Sequence, residues 1–147
     1  MGNTARPRKG NSVSKPSIHH IGIAVRSLEE ALTFYEQGLG LEKKAVVDVP
    51  AEKVRVAMLP AGEPRIELLE ATSPDSAVAR FIEKRGEGLH HIALRVPDLA
   101  KAVEQLKARG TKLVTEEIQT GAEGYRYVFV HPKSAGGVLL ELIEEEE

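Results

Sequence analysis

His19-His20-Ile21-Gly22-Ile23-Ala24-Val25-Arg26-Ser27-Leu28-Glu29-Glu30-Ala31-Leu32 and His90-His91-Ile92-Ala93-Leu94-Arg95-Val96-Pro97-Asp98-Leu99-Ala100-Lys101-Ala102-Val103 are two copies of one pattern, 71 residues apart. Each places a paired histidine on an alternating apolar run that passes directly into a segment of helical period. A repeat at so long a period predicts two similar modules facing one another, not a solenoid of many short units. Histidine is the commonest side-chain metal ligand, so its duplication on equivalent strands points to a site shared between the modules.

Outward from the first copy, Ile18–Val25 reads as a strand and Leu28–Gln37 as a helix. Ser27 and Glu30 form the expected capping box, and Gly38 and Gly40 the stop. Strands are expected at Lys44–Val49, Val54–Leu59 and, after the Pro60-Ala61-Gly62 turn, Arg65–Glu70. A linking helix follows over about 75–86, introduced by Ser73-Pro74-Asp75-Ser76. The second half repeats the order, with a strand at His90–Val96, a helix at Leu99–Arg109, and strands near Lys112–Glu117, Tyr125–His131 and Val138–Ile143. Ile66-Glu67-Leu68-Leu69-Glu70 matches Leu140-Glu141-Leu142-Ile143-Glu144 at an offset of 74, which puts three extra residues in the second half, assigned to the Gly121–Gly124 loop.

With 147 residues, 41% hydrophobic and 29% charged, the chain can build one compact domain or two half-domains sharing an interface. A net charge of −2 gives no drive toward nucleic acid or an anionic membrane. The absence of cysteine excludes disulfides and thiolate metal sites. No apolar run approaches the ~20 residues of a membrane helix. Residues 1–17 carry Arg6, Arg8, Lys9 and Lys15 but no acid, and read as a disordered tail. Glu144–Glu147 reads as the solvated end of the last strand. With no secretory signal, the cytoplasm is the default location and the mitochondrial matrix the alternative.

Adjacent strand residues point to opposite faces, so one histidine of each pair is expected to face a shared cavity. His20 goes with the small Gly22 and Ala24, and His91 with Ala93 and Arg95; the bulky Ile21, Ile23, Val25, Ile92, Leu94 and Val96 go with the helices. His20 and His91 are therefore the candidate ligands. Glu67 and Glu141 stand opposite Ile66/Leu68 and Leu140/Leu142, on the face away from the helices. A pseudo-twofold would bring His20, Glu67, His91 and Glu141 together, a sulfur-free set suited to divalent Co, Ni, Mn, Fe or Zn. His19, His90 and His131 are expected to be structural. The fold expected is α+β: two fused β-α-β-β-β modules, 18–72 and 89–147, in one domain (18–147) whose curved mixed sheet surrounds a single metal site.

These features resemble the vicinal-oxygen-chelate superfamily and, within it, the methylmalonyl-CoA epimerase family, over about Ile18 to Ile143. Gly86-Glu87-Gly88-Leu89-His90-His91-Ile92 and His131-Pro132-Lys133-Ser134-Ala135-Gly136-Gly137-Val138-Leu139-Leu140-Glu141-Leu142 carry the resemblance most specifically. His20-Ile21-Gly22-Ile23-Ala24-Val25, Ile66-Glu67-Leu68-Leu69-Glu70 and Asp75-Ser76 add to it. It implies an isomerase that interconverts the C2 epimers of methylmalonyl-CoA with a divalent metal, cobalt in first place and Zn, Mn or Ni as options. By position it implies the ligands His20, His91 and Glu141, with Glu67 where some relatives have Gln.

Removing the C2 hydrogen builds negative charge on the thioester oxygen, which a divalent cation stabilises in the transition state. Epimerisation also needs an acid/base on each face of the planar intermediate. The resemblance makes Glu141 one of them. The other family glutamate lies in a Glu-x-Gly-Val pattern, where this chain reads Ala51-Glu52-Lys53-Val54. Glu52 is therefore the expected second acid/base, displaced by one residue, with Asp48 or a metal-bound water next. Lys53, Arg126 and Lys133 are the cations available for coenzyme A phosphates, and Ser76 is explained as a helix cap. The family also implies a homodimer. Glyoxalase I shares the module, but typically has Asn-Pro-Asp-Gly-Tyr where this chain has His-Pro-Lys-Ser-Ala-Gly-Gly. Metal-free drug-binding relatives need no ligand set, and 4% aromatic residues give little surface for stacking planar drugs.

Overall fold

The computed structural model describes residues 15–121 and 124–145. Strand β1 (Ser17–Ala24) leads into α1 (Leu28–Leu32), and β2 (Ala45–Val49), β3 (Val54–Pro60) and β4 (Arg65–Ala71) complete the first module. Helix α2 (Ala77–Arg85) links it to β5 (Gly88–Arg95), α3 (Leu99–Ala108), β6 (Gln119–Thr120), β7 (Arg126–Val130) and β8 (Leu140–Glu144). The strands form one eight-stranded sheet in the order β2-β3-β4-β1-β5-β8-β7-β6. That order is a palindrome about the β1–β5 seam. β1 runs parallel to β4 and β5 parallel to β8, while every other neighbouring pair, the seam included, is antiparallel. The expected pair of β-α-β-β-β modules in a curved mixed sheet is the fold observed.

Strand alternation builds the layers. Leu68 faces α1 with Val25, Leu28, Ala57 and Leu59, and Leu142 faces α3 with Leu99, Val103, Val128 and Val130. The odd residues beside them, Glu67, Leu69, Glu141 and Ile143, turn to the opposite face. There α2 packs through Val78 and Phe81 on Ala24, Val54, Val56 and Leu69. Side-chain caps set the helix starts: Ser27, Ser76 and Asp98 accept the N–H of Glu30, Ala79 and Lys101 at 3.1, 3.0 and 3.1 Å. Only the Ser27 half of the expected capping box is formed by these contacts. Ser76 acts as the cap the sequence suggested.

Two expectations need correction. The helix expected over Leu28–Gln37 widens after Leu32 into a π-helical turn, Thr33–Gly38, which sets Tyr35 against the α1 core. The strand expected at Lys112–Glu117 is reduced to one bridge, Leu113 to Val130, and pairing resumes at Gln119–Thr120. Leu113 alone of that stretch is buried in the α3 core, while Val114 is half exposed among charged neighbours, so no alternating apolar face holds it in the sheet. The tail expected over 1–17 lies, for residues 1–14, outside the described residues, and Ser17 already opens β1. Ala122 and Glu123 of the inserted loop, and Glu146 and Glu147, also lie outside them.

Candidate active site

The site straddles the seam. His20 on β1 pairs across it with Ala93 on β5, and His91 on β5 pairs with Gly22 on β1. On the flanks Gly22 lies beside Glu67 and Ala93 beside Glu141. The pseudo-twofold thus exchanges His20 with His91, Gly22 with Ala93 and Glu67 with Glu141. Each imidazole lies against the small residue of the other module. The fit is tight at Gly22, where a Cβ would stand 2.4 Å from His91 Cε1.

His20 Nε2 and His91 Nε2 are 3.0 Å apart, and each is 3.3 Å from Glu141 Oε1. Glu67 Oε1 stands 3.5 Å from His20 Nε2, its other oxygen accepting from Arg65 Nε at 2.8 Å. All four ligand candidates are buried, at 4–8% exposure. The trio His20, His91 and Glu141 offers ligand atoms within 4.8 Å of one another, and Glu67 flanks it.

These residues fit a divalent metal. With bonds of about 2.1 Å, neighbouring ligand atoms around one ion stand about 3.0–3.4 Å apart, the spacing of the trio. Imidazole nitrogens with carboxylate oxygens and no sulfur suit borderline divalent ions. Burial pushes the Glu141 carboxyl up, but hydrogen bonds and charge from His20 and His91 outweigh it and hold the group at about 2. Glu141 is therefore a carboxylate throughout the neutral range.

The same side chains line a cavity of about 150 Å³, which Glu52, Met58, Arg65, Tyr127 and Phe129 also enter. Glu52 reaches it although its chain neighbour Ala51 is the residue expected at the position of the family glutamate. Pro50–Lys53 form a tight turn, with Lys53 N–H donating to the Pro50 carbonyl at 3.1 Å. Lys53 takes the left-handed conformation (φ 57°) natural to the glycine of the family pattern, so the one-residue displacement does not flip the side chain out. Glu52 Oε2 accepts from Tyr127 Oη at 2.7 Å. Burial, then this hydrogen bond, raises the Tyr127 hydroxyl above its ordinary range, so it remains a donor. Asp48, the reserve candidate, is exposed and meets Arg55 Nε at 3.6 Å on the other face of β2.

The cations considered for coenzyme A are not gathered into one cluster. Lys53 Nζ binds Asp75 at 2.6 Å and Arg126 binds Glu144 at 2.8 Å. Lys133 sits in the short turn after β7, where His131 Nδ1 accepts its backbone N–H at 3.0 Å, a capping role consistent with His131 being structural.

His19 and His90 depart from expectation. Both join the cavity wall instead of turning toward the helices. Between Ile18 and His20 the β1–β5 register slips by one residue, and between Gly22 and Ile23 it slips on the other strand. His19 and His90 are the extra residues, and a bulge re-aims its extra side chain. Burial first, then the neighbouring histidine, lowers both: His90 to about 4, and His19 below its ordinary value. Sequence reading also passed over Arg65 and Tyr127. Arg65 shares a face with Glu67 by alternation, and Tyr127 and Phe129 alternate with the core residues Val128 and Val130, so that signal was present.

The chain matches the Glyoxalase/Bleomycin resistance protein/Dioxygenase superfamily over residues 19–129. It is 38% identical over 126 residues to the mitochondrial methylmalonyl-CoA epimerase of Homo sapiens, covering 85% of this chain and 72% of that one. The ethylmalonyl-CoA/methylmalonyl-CoA epimerase of Cereibacter sphaeroides is 37% identical, with 85% and 95% covered. A methylmalonyl-CoA epimerase solved with methylmalonyl-CoA and ammonium superposes with a TM-score of 0.83 at 36% identity, over 90% of this chain and 96% of that one. The fold, the buried His-His-Glu group and these similarities agree: the chain belongs to the methylmalonyl-CoA epimerase family of the glyoxalase/bleomycin resistance superfamily.

Proposed function

We propose that this chain interconverts the C2 epimers of methylmalonyl-CoA, with Glu141 and Glu52 exchanging the proton and His20, His91, Glu141 and Glu67 holding a divalent metal. One observation carries the reading: Glu52, from a distant part of the chain, enters the same cavity as a buried, metal-compatible trio that includes Glu141. When bound there, the metal supplies Lewis-acid stabilisation of the negative charge that develops on the thioester oxygen. Glu141 is held as a carboxylate and is a proton acceptor at neutral pH. Glu52 serves the other face of the substrate, steadied by the Tyr127 hydroxyl at 2.7 Å. The bulk of the cavity wall is apolar, from Val47, Val49, Val54, Val56 and Leu69, which keeps water from the carbanionic centre.

Cobalt is the metal favoured by the family, and the homodimer expected from it is part of the same proposal. For location, no helix among the described residues is long and apolar enough to cross a membrane. The cytoplasm remains the proposed setting and the mitochondrial matrix the alternative, the human relative being named as mitochondrial.

The test is proton NMR of C2 hydrogen exchange into deuterated water, with methylmalonyl-CoA and protein stripped of metal or reloaded with cobalt. Metal-dependent exchange accompanied by interconversion of epimers is the expected result. Absence of exchange in the loaded protein would overturn the proposal. Hemithioacetal turnover in a parallel assay would then move the chain to the glyoxalase reaction, and silence in both to a binding role.

A further inference from the structure

His19 and His90 occupy equivalent places in the two modules, and each is the extra residue of a β-bulge. Strands that continued in register would turn both rings toward the helices. The slips instead lay each ring against its neighbour: His19 Nδ1 is 2.8 Å from His20 Nδ1, and His90 Nδ1 is 2.9 Å from His91 Nδ1. The same nitrogen meets the same nitrogen twice, on the side of each imidazole opposite the Nε2 atoms that converge with Glu141.

The proton inventory on the first module gives this contact a direction. Glu145 Oε2 lies 3.2 Å from His19 Nε2, and its other oxygen accepts from Arg95 Nε at 2.8 Å. A carboxylate only accepts, so His19 carries its proton on Nε2 and its Nδ1 presents a lone pair. The proton between the two Nδ1 atoms therefore belongs to His20. When a cation takes the place of the Nε2 proton that Glu141 accepts, His20, protonated on Nδ1, offers its Nε2 lone pair. On the second module the equivalent contact, at 2.9 Å, allows His91 the same form. A ligating imidazole needs this arrangement, because the hydrogen bond at one nitrogen decides which tautomer is present and aims the ring.

We infer that His19 and His90 are positioning residues, bulge-presented hydrogen-bond acceptors that fix His20 and His91 as Nε2 metal donors. The inference rests on the metal reading of the trio and goes one shell beyond it. It also gives both bulges a common role, beside the edge-on contact of His90 with Phe81 of α2 and of His19 with Tyr125.

The experiment uses the full chain and zinc, whose closed shell permits NMR. Long-range proton–nitrogen spectra of the zinc-loaded wild type are expected to show Nδ1–H and metal-bound Nε2 for both His20 and His91. Zinc affinity is then measured by chelator competition for His19→Leu, His90→Leu, His19→Asn and His90→Asn, with circular dichroism as the control for folding. Asn Oδ1 takes the place of His Nδ1 and keeps the acceptor. The leucine variants are expected to bind zinc about 10–100-fold more weakly and the asparagine variants within about threefold of wild type. Wild-type affinity in both leucine variants, equal loss in the asparagine variants, or an Nε2–H tautomer of His20 or His91 in the wild type would overturn the inference. Failure of the wild type itself to bind zinc or cobalt would instead remove the metal reading, and this inference with it.

Discussion

Replacing Gly22 by alanine tests the seam where the two modules bring their candidate ligands together. Gly22 lies in extended β1 and does not adopt a left-handed conformation, so a methyl group strains no backbone there. Its Cβ would stand 2.4, 2.7 and 2.9 Å from His91 Cε1, Nδ1 and Nε2. Carbon atoms in contact prefer about 3.5–4.0 Å, so the ring must retreat by roughly 1 Å. His91 Nε2 would then leave its positions 3.0 Å from His20 Nε2 and 3.3 Å from Glu141 Oε1. A 1 Å displacement of a positioned group costs on the order of 100-fold, so turnover and metal affinity should both fall by about that factor. For the fold, overpacking costs about 1–3 kcal/mol, offset by the ~0.5–1 kcal/mol that alanine gains over glycine inside a strand. The net loss of about 1–2 kcal/mol should lower the melting temperature of the metal-free protein by roughly 3–6 °C. In a His91→Ala background no ring remains to be struck, and Gly22→Ala should become neutral or mildly stabilising. Thermal unfolding of the four proteins of this cycle, with metal titration of Gly22→Ala, measures both effects. Equal destabilisation in both backgrounds, or wild-type metal binding by Gly22→Ala, would refute the reasoning.

Glu141→Gln removes the charge that faces both imidazoles, and C2 hydrogen exchange should fall by roughly 1,000-fold or more even where metal is retained; near-wild-type exchange at measured metal content would deny it both roles. Glu52→Gln should slow exchange from one epimer by about 100-fold or more while leaving metal content unchanged, and equal slowing of both epimers would argue against a one-face role. Tyr127→Phe, by loss of the 2.7 Å bond to Glu52, should cost about tenfold in turnover with no change in metal affinity. His90 supplies a pH dependence. Burial and then His91 hold it at about 4, against about 6.5 in an unfolded chain, so between those values the unfolded state binds more protons. Stability of the metal-free protein should therefore rise by up to about 3 kcal/mol from pH 4 to pH 6.5 and level off above. Urea unfolding across pH 4–8 checks this, and His90→Asn should flatten the slope.

Strand alternation made most of the site legible. The contrast of His20, Gly22 and Ala24 with Ile21, Ile23 and Val25 needs no tertiary information, and the same contrast isolates Glu67 and Glu141 between leucines and isoleucines. Alternation failed where the sheet itself breaks its period. Nothing in His19-His20 or His90-His91 distinguishes a regular strand from one carrying an extra residue, because a bulge is set by the register of the partner strand. Lys112–Glu117 failed for a related reason: one buried leucine suffices to dock a segment without making it a strand. At Glu52 the outcome depends on a single dihedral. Lys53 adopts a conformation most side chains avoid, and its ammonium is anchored on Asp75 22 residues away, a contact that local sequence does not display.

Duplication explains why the candidate ligands converge but not why the two carboxylates differ. At an offset of 74, Glu67 corresponds to Glu141 and Arg65 to Leu139. Arg65 points along β4 to bind Glu67 Oε2 at 2.8 Å and also donates to Tyr125 Oη at 3.3 Å, so one oxygen of Glu67 is committed within its own module. Leu139 offers no such partner to Glu141, whose Oε1 instead faces the Nε2 atoms of both histidines at 3.3 Å. An anchored carboxylate is suited to holding charge in place, whereas Glu141, without a partner of that kind, is the one to which the proposed mechanism gives the proton exchange. A single difference between the copies, arginine in one and leucine in the other, thus gives two equivalent glutamates different surroundings, the asymmetry that the proposed division into a metal-holding and a proton-exchanging carboxylate would use.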